Sequence, residues 1–148
     1  MIGGQKMPDI ILVSGGFDPI HSGHIKLIND ANKYGDVVVL LNSDAWLRNK
    51  KGREFLPFDE RKIIMQNIKG VLDVLDFDDS DNTCIDGLRK AKKKYTNSII
   101  KFANGGDRND ETTPETAFCN QNNIEALWGI GGNHKSNSSS WILKKWKE

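Results

Sequence analysis

Two histidines, His21 and His24, stand three residues apart at the start of a predicted helix for which Ser22 is the expected cap. That spacing places both imidazoles on the same side of the first helical turn. Gly15 and Gly16 precede them, and residues without a Cβ let backbone amides approach an anion closely. The amides and dipole of a helix start favour phosphate, and imidazoles there can donate hydrogen bonds to oxygens that gain charge. The segment predicts a phosphate site, and the alternative is a helix cap with two solvated histidines.

A second glycine-rich segment, Asn104-Gly105-Gly106-Asp107-Arg108, follows the fourth predicted strand. Asp107 is either an ordinary turn residue or a contact to a nucleotide hydroxyl, and its position beyond a strand favours the contact. The chain contains neither GxGxxG nor GxxxxGK[ST]. The sequence therefore gives no support to a dinucleotide redox enzyme or to a P-loop NTPase.

Three further groups of residues could meet an anion, although each has a simpler explanation. Lys51 lies in a lysine-rich polar stretch, where a solvated charge run and a phosphate contact both remain open. Arg61 lies near a predicted helix start, where a cation opposes the dipole, and this favours an anionic partner. The last predicted helix begins in a run of three serines, one of which is expected to be the N-cap. Hydroxyls and free amides at that start would also hold a phosphate; the serines are Ser138, Ser139 and Ser140.

Short apolar runs alternate with segments of helical spacing along the whole chain. The runs predict five strands buried on both faces: Asp9–Gly15, Val37–Leu41, Val71–Phe77, Ser98–Ala103 and Ile124–Ile130. Helices are predicted between and after them, while the polar stretch 42–57 is expected to be a functional loop. Alternation of this kind predicts a parallel sheet with right-handed crossovers and helices on both faces. We therefore expect a single α/β, Rossmann-like domain over residues 1–148, with its ligands beyond the carboxyl ends of the strands.

Composition excludes several classes of protein. The 148 residues contain 21 Lys plus Arg and 20 Asp plus Glu, a net charge of +1 that argues against a dedicated nucleic-acid or membrane-surface binder. No stretch approaches the roughly 20 apolar residues of a membrane span, and we expect a cytoplasmic protein. Cys84 and Cys119 have no metal-type spacing and are expected to be reduced thiols. Four aspartates between Asp76 and Asp81 are interpreted as a solvated loop rather than a cation site.

The segment from Gly15 to His24 resembles the GxFDxxHxGH signature of the cytidylyltransferase-like nucleotidyltransferases. The resemblance continues through Asn42-Ser43-Asp44, Lys51-Gly52, Glu60-Arg61, the 104–108 segment and Ser138-Ser139-Ser140-Trp141-Ile142, and relates the chain to glycerol-phosphate and heptose-phosphate enzymes and to phosphonate cytidylyltransferase domains. It implies catalytic roles for His21, His24 and Lys51, and a phosphate or acceptor contact for Lys51 and Arg61. It also implies that one nucleoside triphosphate is bound by Gly15, Gly16, Phe17, Asp18, His21, His24, Gly105, Asp107, Ser138, Ser139 and Ser140.

The reaction implied by the resemblance is transfer of a nucleoside monophosphate to a small phosphate or phosphonate acceptor, with release of pyrophosphate. Such an acceptor is already ionised at neutral pH, so positioning and charge neutralisation replace a strong base. Mg²⁺ is expected to arrive with the triphosphate rather than in a protein cage. The motifs favour CTP, and the alternatives are an ATP-dependent adenylyltransferase acting on a sugar phosphate such as heptose 1-phosphate, or a nucleotide-binding module without turnover. The resemblance and the apolar residues Phe55, Leu56 and Phe58 in a polar setting suggest a homodimer.

Overall fold

Strands and helices alternate from one end of the chain to the other, as the apolar runs predict. The computed structural model describes residues 7–105, 113–132 and 138–148. The strands are β1 (Ile10–Gly15), β2 (Asp36–Leu41), β3 (Val71–Leu75), β4 (Ile100–Gly105) and β5 (Glu125–Ile130). The helices are α1 (Ser22–Asn32), α2 (Asp44–Lys51), α3 (Phe58–Gln66), α4 (Ile85–Lys94), α5 (Pro114–Gln121) and α6 (Ser139–Lys147).

The five strands form one parallel sheet in the order β3-β2-β1-β4-β5. The central strand β1 is apolar over four consecutive residues because both of its faces are covered. Ile10 and Leu12 pack with Leu88 of α4 on one face. Ile11 and Val13 pack on the other face with α1 and α3. The predicted Rossmann-like α/β fold, with helices on both faces of a five-stranded parallel sheet, is thus confirmed.

The order of the strands reverses direction between β1 and β4, which makes this pair the switch point where ligands of such sheets bind. The two strands pair from Ile10 with Ile100 to Leu12 with Phe102, and their carboxyl-terminal residues lie beyond that ladder. Helices α1 and α2 both begin at this edge of the sheet, after β1 and β2. The fold therefore brings the histidine segment, from Gly15 to His24, and the polar stretch 42–57 to the same end of the molecule.

The polar stretch 42–57 is not a plain loop, since half of it is helix α2. Ser43 caps the helix by accepting a hydrogen bond from the backbone N of Trp46 at 3.1 Å. Asp44 lies in the first turn, three basic residues lie in the last, and Gly52 ends the helix with φ of 92°. Leu47 is the one apolar residue that α2 buries, so the helix lacks the periodic apolar stripe by which helices are predicted. Its capping residues were the signal that the prediction missed.

Candidate active site

The glycine turn after β1 lies directly against helix α2. A Cβ on Gly16 would stand 2.7 Å from Cδ2 of Leu47, so any side chain at this position would displace Leu47. Glycine at this position lets the turn and α2 meet without displacement. Phe17 follows with a positive φ of 50° and a buried ring, so the chain turns sharply before α1 begins.

The first turn of α1 holds both histidines in one orientation. His21, and not the predicted Ser22, is the N-cap, and its Nδ1 accepts a hydrogen bond from the backbone N of Gly23 at 3.0 Å. Nδ1 of His24 accepts one from the backbone N of His21 at 3.3 Å. Because each Nδ1 is an acceptor, the proton of each neutral ring is assigned to Nε2. The rings stack with their centroids 3.8 Å apart. The phosphate site and the helix cap, which the sequence left as alternatives, are therefore compatible. The cap itself fixes two side-by-side Nε2–H donors.

The surroundings of His24 keep its imidazole uncharged at neutral pH. Burial lowers its pKa from 6.5 to about 3, and the nearby charges of His21 and Lys51 act in the same direction. The ring of Phe17 packs edge-on against it, with centroids 4.8 Å apart. A neutral His24 can donate a hydrogen bond from Nε2 while it stands beside a lysine without charge repulsion.

We expect His24 to make the folded protein less stable in acid. Its pKa is about 3 in the folded state and 6.5 in an unfolded chain, so the unfolded chain binds the proton first and stability falls as pH drops from 6.5 towards 3. His24→Asn keeps a short hydrogen-bonding side chain that does not titrate. Thermal unfolding scans between about pH 7 and pH 4.5 should show a steeper loss of Tm for the wild type than for His24→Asn. Equal slopes would show that His24 is not held neutral by the fold.

Lys51 reaches the histidine segment from the last residue of α2. Its Nζ donates to the backbone carbonyl of Asp18 at 2.5 Å. The carboxylate of Asp18, which is buried, accepts from the backbone N of Phe55 at 2.6 Å and of Leu56 at 2.8 Å. Asp18 therefore fastens the chain after α2 to the turn before α1. Burial is the largest influence on Lys51 and lowers its pKa, with Asp18 opposing this effect.

Arg61 is a fully buried cation at the centre of these contacts. Its Nε donates to the carbonyl of Leu56 at 2.9 Å, and Nη1 donates to the carbonyls of Gly16 at 3.0 Å and Asn42 at 2.8 Å. Its Nη2 pairs with a carboxylate oxygen of Asp44 at 2.7 Å. The anionic partner predicted for Arg61 is therefore present, and it is a residue of the protein. A contact between Arg61 and a substrate phosphate stays a prediction, and the burial of the side chain argues against it.

The acidic segment after β3 is not wholly solvated, which corrects the interpretation from sequence. Asp79 is buried and accepts three hydrogen bonds, from Asn42 Nδ2 at 3.0 Å, from the backbone N of Ser43 at 2.8 Å and from Ser43 Oγ at 2.7 Å. It therefore ties the loop after β3 to the start of α2. Asp78 and Asp81 make exposed turn contacts with Ser80 and Thr83, as predicted.

The start of helix α6 meets the turn before α1. Ser138 is the N-cap and accepts from the backbone N of Trp141 at 3.0 Å, which confirms that one of the three serines caps the helix. Ser139 Oγ donates to the carbonyl of Pro19 at 2.8 Å. Ser140 lines a groove that Lys51 also lines. Two helix starts and one lysine therefore converge beside the histidines.

The remaining predicted contacts lie at the end of β4. Gly105 is the last residue of that strand, and its backbone pairs with Ile130 of β5 after a shift in register between Asn104 and Gly105. Asp107 lies outside the described residues, so its predicted contact to a nucleotide hydroxyl stays a prediction. Sequence reasoning did not find the roles of Asp18 and Asp79, because their partners are 36 to 38 residues away along the chain.

Within the described parts of the chain, no cluster of three or more His, Cys, Asp or Glu side chains is arranged to hold a metal ion. In the same residues, no helix has the length and apolar character needed to cross a bilayer.

Cys84 and Cys119 are both unpaired and buried. Burial raises the pKa of Cys84 to about 12 and that of Cys119 to about 11, so both thiols are protonated at neutral pH, and their reduced state stays a prediction.

These contacts define a candidate site at the carboxyl edge of a Rossmann-like sheet, and comparison with known proteins gives the family. Residues 12–127 match the family model described as cytidylyltransferase-like. The chain belongs to the cytidylyltransferase-like family, a class of nucleotidyltransferases, which confirms the resemblance seen in the GxFDxxHxGH segment.

Among curated proteins, the chain is similar to bifunctional proteins named HldE. The HldE of Syntrophotalea carbinolica is 36% identical over 145 residues, which covers 94% of this chain and 28% of that protein. The HldE of Geobacter metallireducens is 42% identical over 69 residues, covering 46% of this chain and 14% of that protein. The chain thus spans less than a third of the length of these relatives.

Solved structures share the fold at low sequence identity. A bifunctional NMN adenylyltransferase/ADP ribose pyrophosphatase from Francisella tularensis superposes with a TM-score of 0.66 and 18% identity, over 95% of this chain and 42% of that one. A lipopolysaccharide core biosynthesis protein from Thermoplasma volcanium gives a TM-score of 0.63 and 18% identity, over 83% of this chain and 95% of the other.

Proposed function

We propose that the chain transfers a nucleoside monophosphate from a nucleoside triphosphate to a small phosphorylated acceptor and releases pyrophosphate. The observation that carries the proposal is the convergence of two Nε2–H donors, from His21 and His24, with Lys51 beside the turn that precedes α1. A non-catalytic binding module would require neither a capping box that fixes both imidazole tautomers nor a lysine held next to them.

In the reaction, an ionised oxygen of the acceptor attacks the α-phosphorus of the nucleotide. A new phosphorus–oxygen bond forms, the bond from the α-phosphorus to the bridging oxygen breaks, and pyrophosphate leaves with that oxygen and the electron pair. Because the attacking oxygen carries no proton, the chain has no need of a general base. Donors at His21 Nε2, His24 Nε2 and Lys51 Nζ stabilise negative charge on the phosphates, and the fixed positions of these donors avoid reorganisation during the reaction.

We propose ATP as the nucleotide and a sugar phosphate such as heptose 1-phosphate as the acceptor. The relatives named HldE support this alternative over the CTP-dependent reaction favoured from sequence, because the heptose-phosphate enzymes to which the motifs relate the chain are adenylyltransferases. CTP with a phosphate or phosphonate acceptor is the second candidate, supported by the 104–108 segment and the closing serine motif.

The protein is proposed to act in the cytoplasm, where its buried thiols would remain reduced.

Mg²⁺ is proposed to enter as a complex with the triphosphate. Asp18, three residues before His21, is the carboxylate nearest to the two histidines along the chain. Its two oxygens accept hydrogen bonds from two backbone amides. An ion that keeps several waters and uses phosphate oxygens requires few protein ligands. When bound, it would neutralise charge on the phosphates, and the residues of the chain would orient them.

The test is pyrophosphate release by the purified chain with ATP or CTP, Mg²⁺ and a panel of acceptors that includes heptose 1-phosphate, glycerol 3-phosphate and 2-aminoethylphosphonate. ATP with the sugar phosphate should give the fastest release, and His24→Asn should abolish most of it. Faster release with CTP would favour the second candidate. Binding of either nucleotide without release from any acceptor would indicate the module without turnover.

We also propose a homodimer. Phe58 packs onto the core of its own domain, whereas Phe55 is 44% exposed and contacts Trp146, which is 68% exposed. Exposed neighbouring aromatics often mark a partner surface. Sedimentation at micromolar concentration should give twice the chain mass of 16.6 kDa, and Phe55→Asp should shift the protein towards monomer. A wild-type monomer at that concentration would refute the dimer and leave the chemistry unaffected.

A further inference from the structure

A cavity of about 250 Å³, separate from the groove lined by Lys51 and Ser140, lies at the carboxyl edge of the sheet in the gap between β1 and β4. Ser14 and Phe102 form its floor, and Trp46 of α2 forms a wall. Residues at the starts of helices α4 and α5, including Thr83 and Glu115, also line it, as do Leu27 of α1 and Asn42 after β2. Among the described residues, none of those assigned above to the nucleotide lines it.

Trp46 connects this cavity to the phosphate-binding turn. A Cβ on Gly16 would stand 3.7 Å from Cζ3 of Trp46, so the indole lies against the glycine turn as well as against the cavity. Lys50 Nζ lies 4.7 Å from the centroid of the indole ring. A molecule in the cavity would therefore have one end within reach of the turn where the reaction is proposed.

The chemistry of the walls selects the kind of molecule that fits. Amide and hydroxyl side chains dominate the polar surface, Glu115 is the only charged residue among the lining residues described, and the Cys84 thiol is protonated. Among the described lining residues the Glu115 carboxylate has no cation beside it, so it disfavours phosphate and suits hydroxyl groups, which can donate hydrogen bonds to it. A cavity of about 250 Å³ has room for a single sugar ring.

We propose that this cavity binds the uncharged, hydroxyl-bearing ring of the acceptor, with Trp46 packed against the ring and Glu115 accepting hydrogen bonds from its hydroxyls. This inference rests on the proposed function and names the substrate class: cyclic sugar phosphates whose only charged group is the transferred phosphate. The phosphate of the acceptor lies outside the cavity, at the turn beside Trp46. Open-chain alcohol phosphates leave the indole uncovered and are poorer acceptors.

Steady-state kinetics with mannose 1-phosphate and glycerol 3-phosphate test the proposal. Trp46→Ala should raise KM for mannose 1-phosphate about tenfold, whereas KM for the nucleotide and for glycerol 3-phosphate should stay unchanged. Trp46→Phe should restore most of the loss, and Glu115→Gln should raise KM for mannose 1-phosphate alone. Tyr34→Ala, an exposed aromatic at the opposite end of α1, is the matched control.

Calorimetric titration of mannose 1-phosphate separates this inference from the proposed function. Binding that Trp46→Ala weakens, in a protein that releases no pyrophosphate, would support the cavity and refute the transferase. Pyrophosphate release with no change on Trp46→Ala or Glu115→Gln would support the transferase and overturn the cavity. The cavity assignment would also be overturned if wild type fails to bind mannose 1-phosphate, or if it prefers 2-aminoethylphosphonate, whose ammonium group would pair with Glu115.

Discussion

His21→Asn and His24→Asn should each lower the turnover number about a hundredfold or more, with the fold intact. Removal of one preorganised hydrogen-bond donor to a developing charge typically costs on the order of 3 kcal/mol in the transition state. Asparagine is chosen because its oxygen can accept the backbone hydrogen bonds that each Nδ1 accepts now. Both variants therefore remove the Nε2–H donors and keep the capping box.

The measurement is kcat with saturating nucleotide and acceptor, with circular dichroism and Tm as checks on folding. Ala substitutions at the same positions serve as the comparison, because they remove the cap as well as the donor. If the Asn variants keep near-normal kcat while the Ala variants lose stability, the two histidines serve only as a helix cap. That outcome would contradict their proposed role in transition-state stabilisation.

Arg61→Met should destabilise the protein by about 3 kcal/mol or more. The substitution leaves the Asp44 carboxylate without its cation and removes donors from three backbone carbonyls, those of Gly16, Asn42 and Leu56. The Asp44 side chain is 26% exposed, so loss of its cation costs less than the roughly 3 to 5 kcal/mol typical of a fully buried pair. Each buried acceptor left unpaired adds about 1 to 3 kcal/mol. These carbonyls belong to the glycine turn, to the end of β2 and to the chain after α2. Without Arg61, these three segments should be held less rigidly relative to one another.

Urea unfolding measures the effect, and Arg89→Met is the matched control. Arg89 has an exposed side chain whose nearest carboxylate oxygen, on Asp86, is 3.9 Å away, so the control should cost less than about 1 kcal/mol. An Arg61→Met protein as stable as the control, with a raised KM for nucleotide or acceptor, would show that Arg61 binds substrate phosphate directly. Equal kcat/KM in a destabilised variant would instead support a purely structural role.

The sequence by itself determined the architecture and the position of the candidate phosphate site. Apolar runs such as Ile10–Val13 can be covered only when both faces of a strand are buried, so their alternation with amphipathic segments specified a parallel sheet between helices. Gly15, Gly16, His21 and His24 were recognisable because their mutual geometry is local, set within one turn and the first turn of one helix.

The tertiary structure decided how that site is held together. Arg61, Asp18 and Asp79 are charged residues that, taken singly, are typical of a solvated surface, yet each is buried against partners between 5 and 45 residues away along the chain. The position of Trp46 between the glycine turn and a cavity likewise depends on the packing of α2. Periodicity and motif spacing report only neighbours in the chain, whereas burial of a charge depends on which distant backbone amides and carbonyls the fold brings to it.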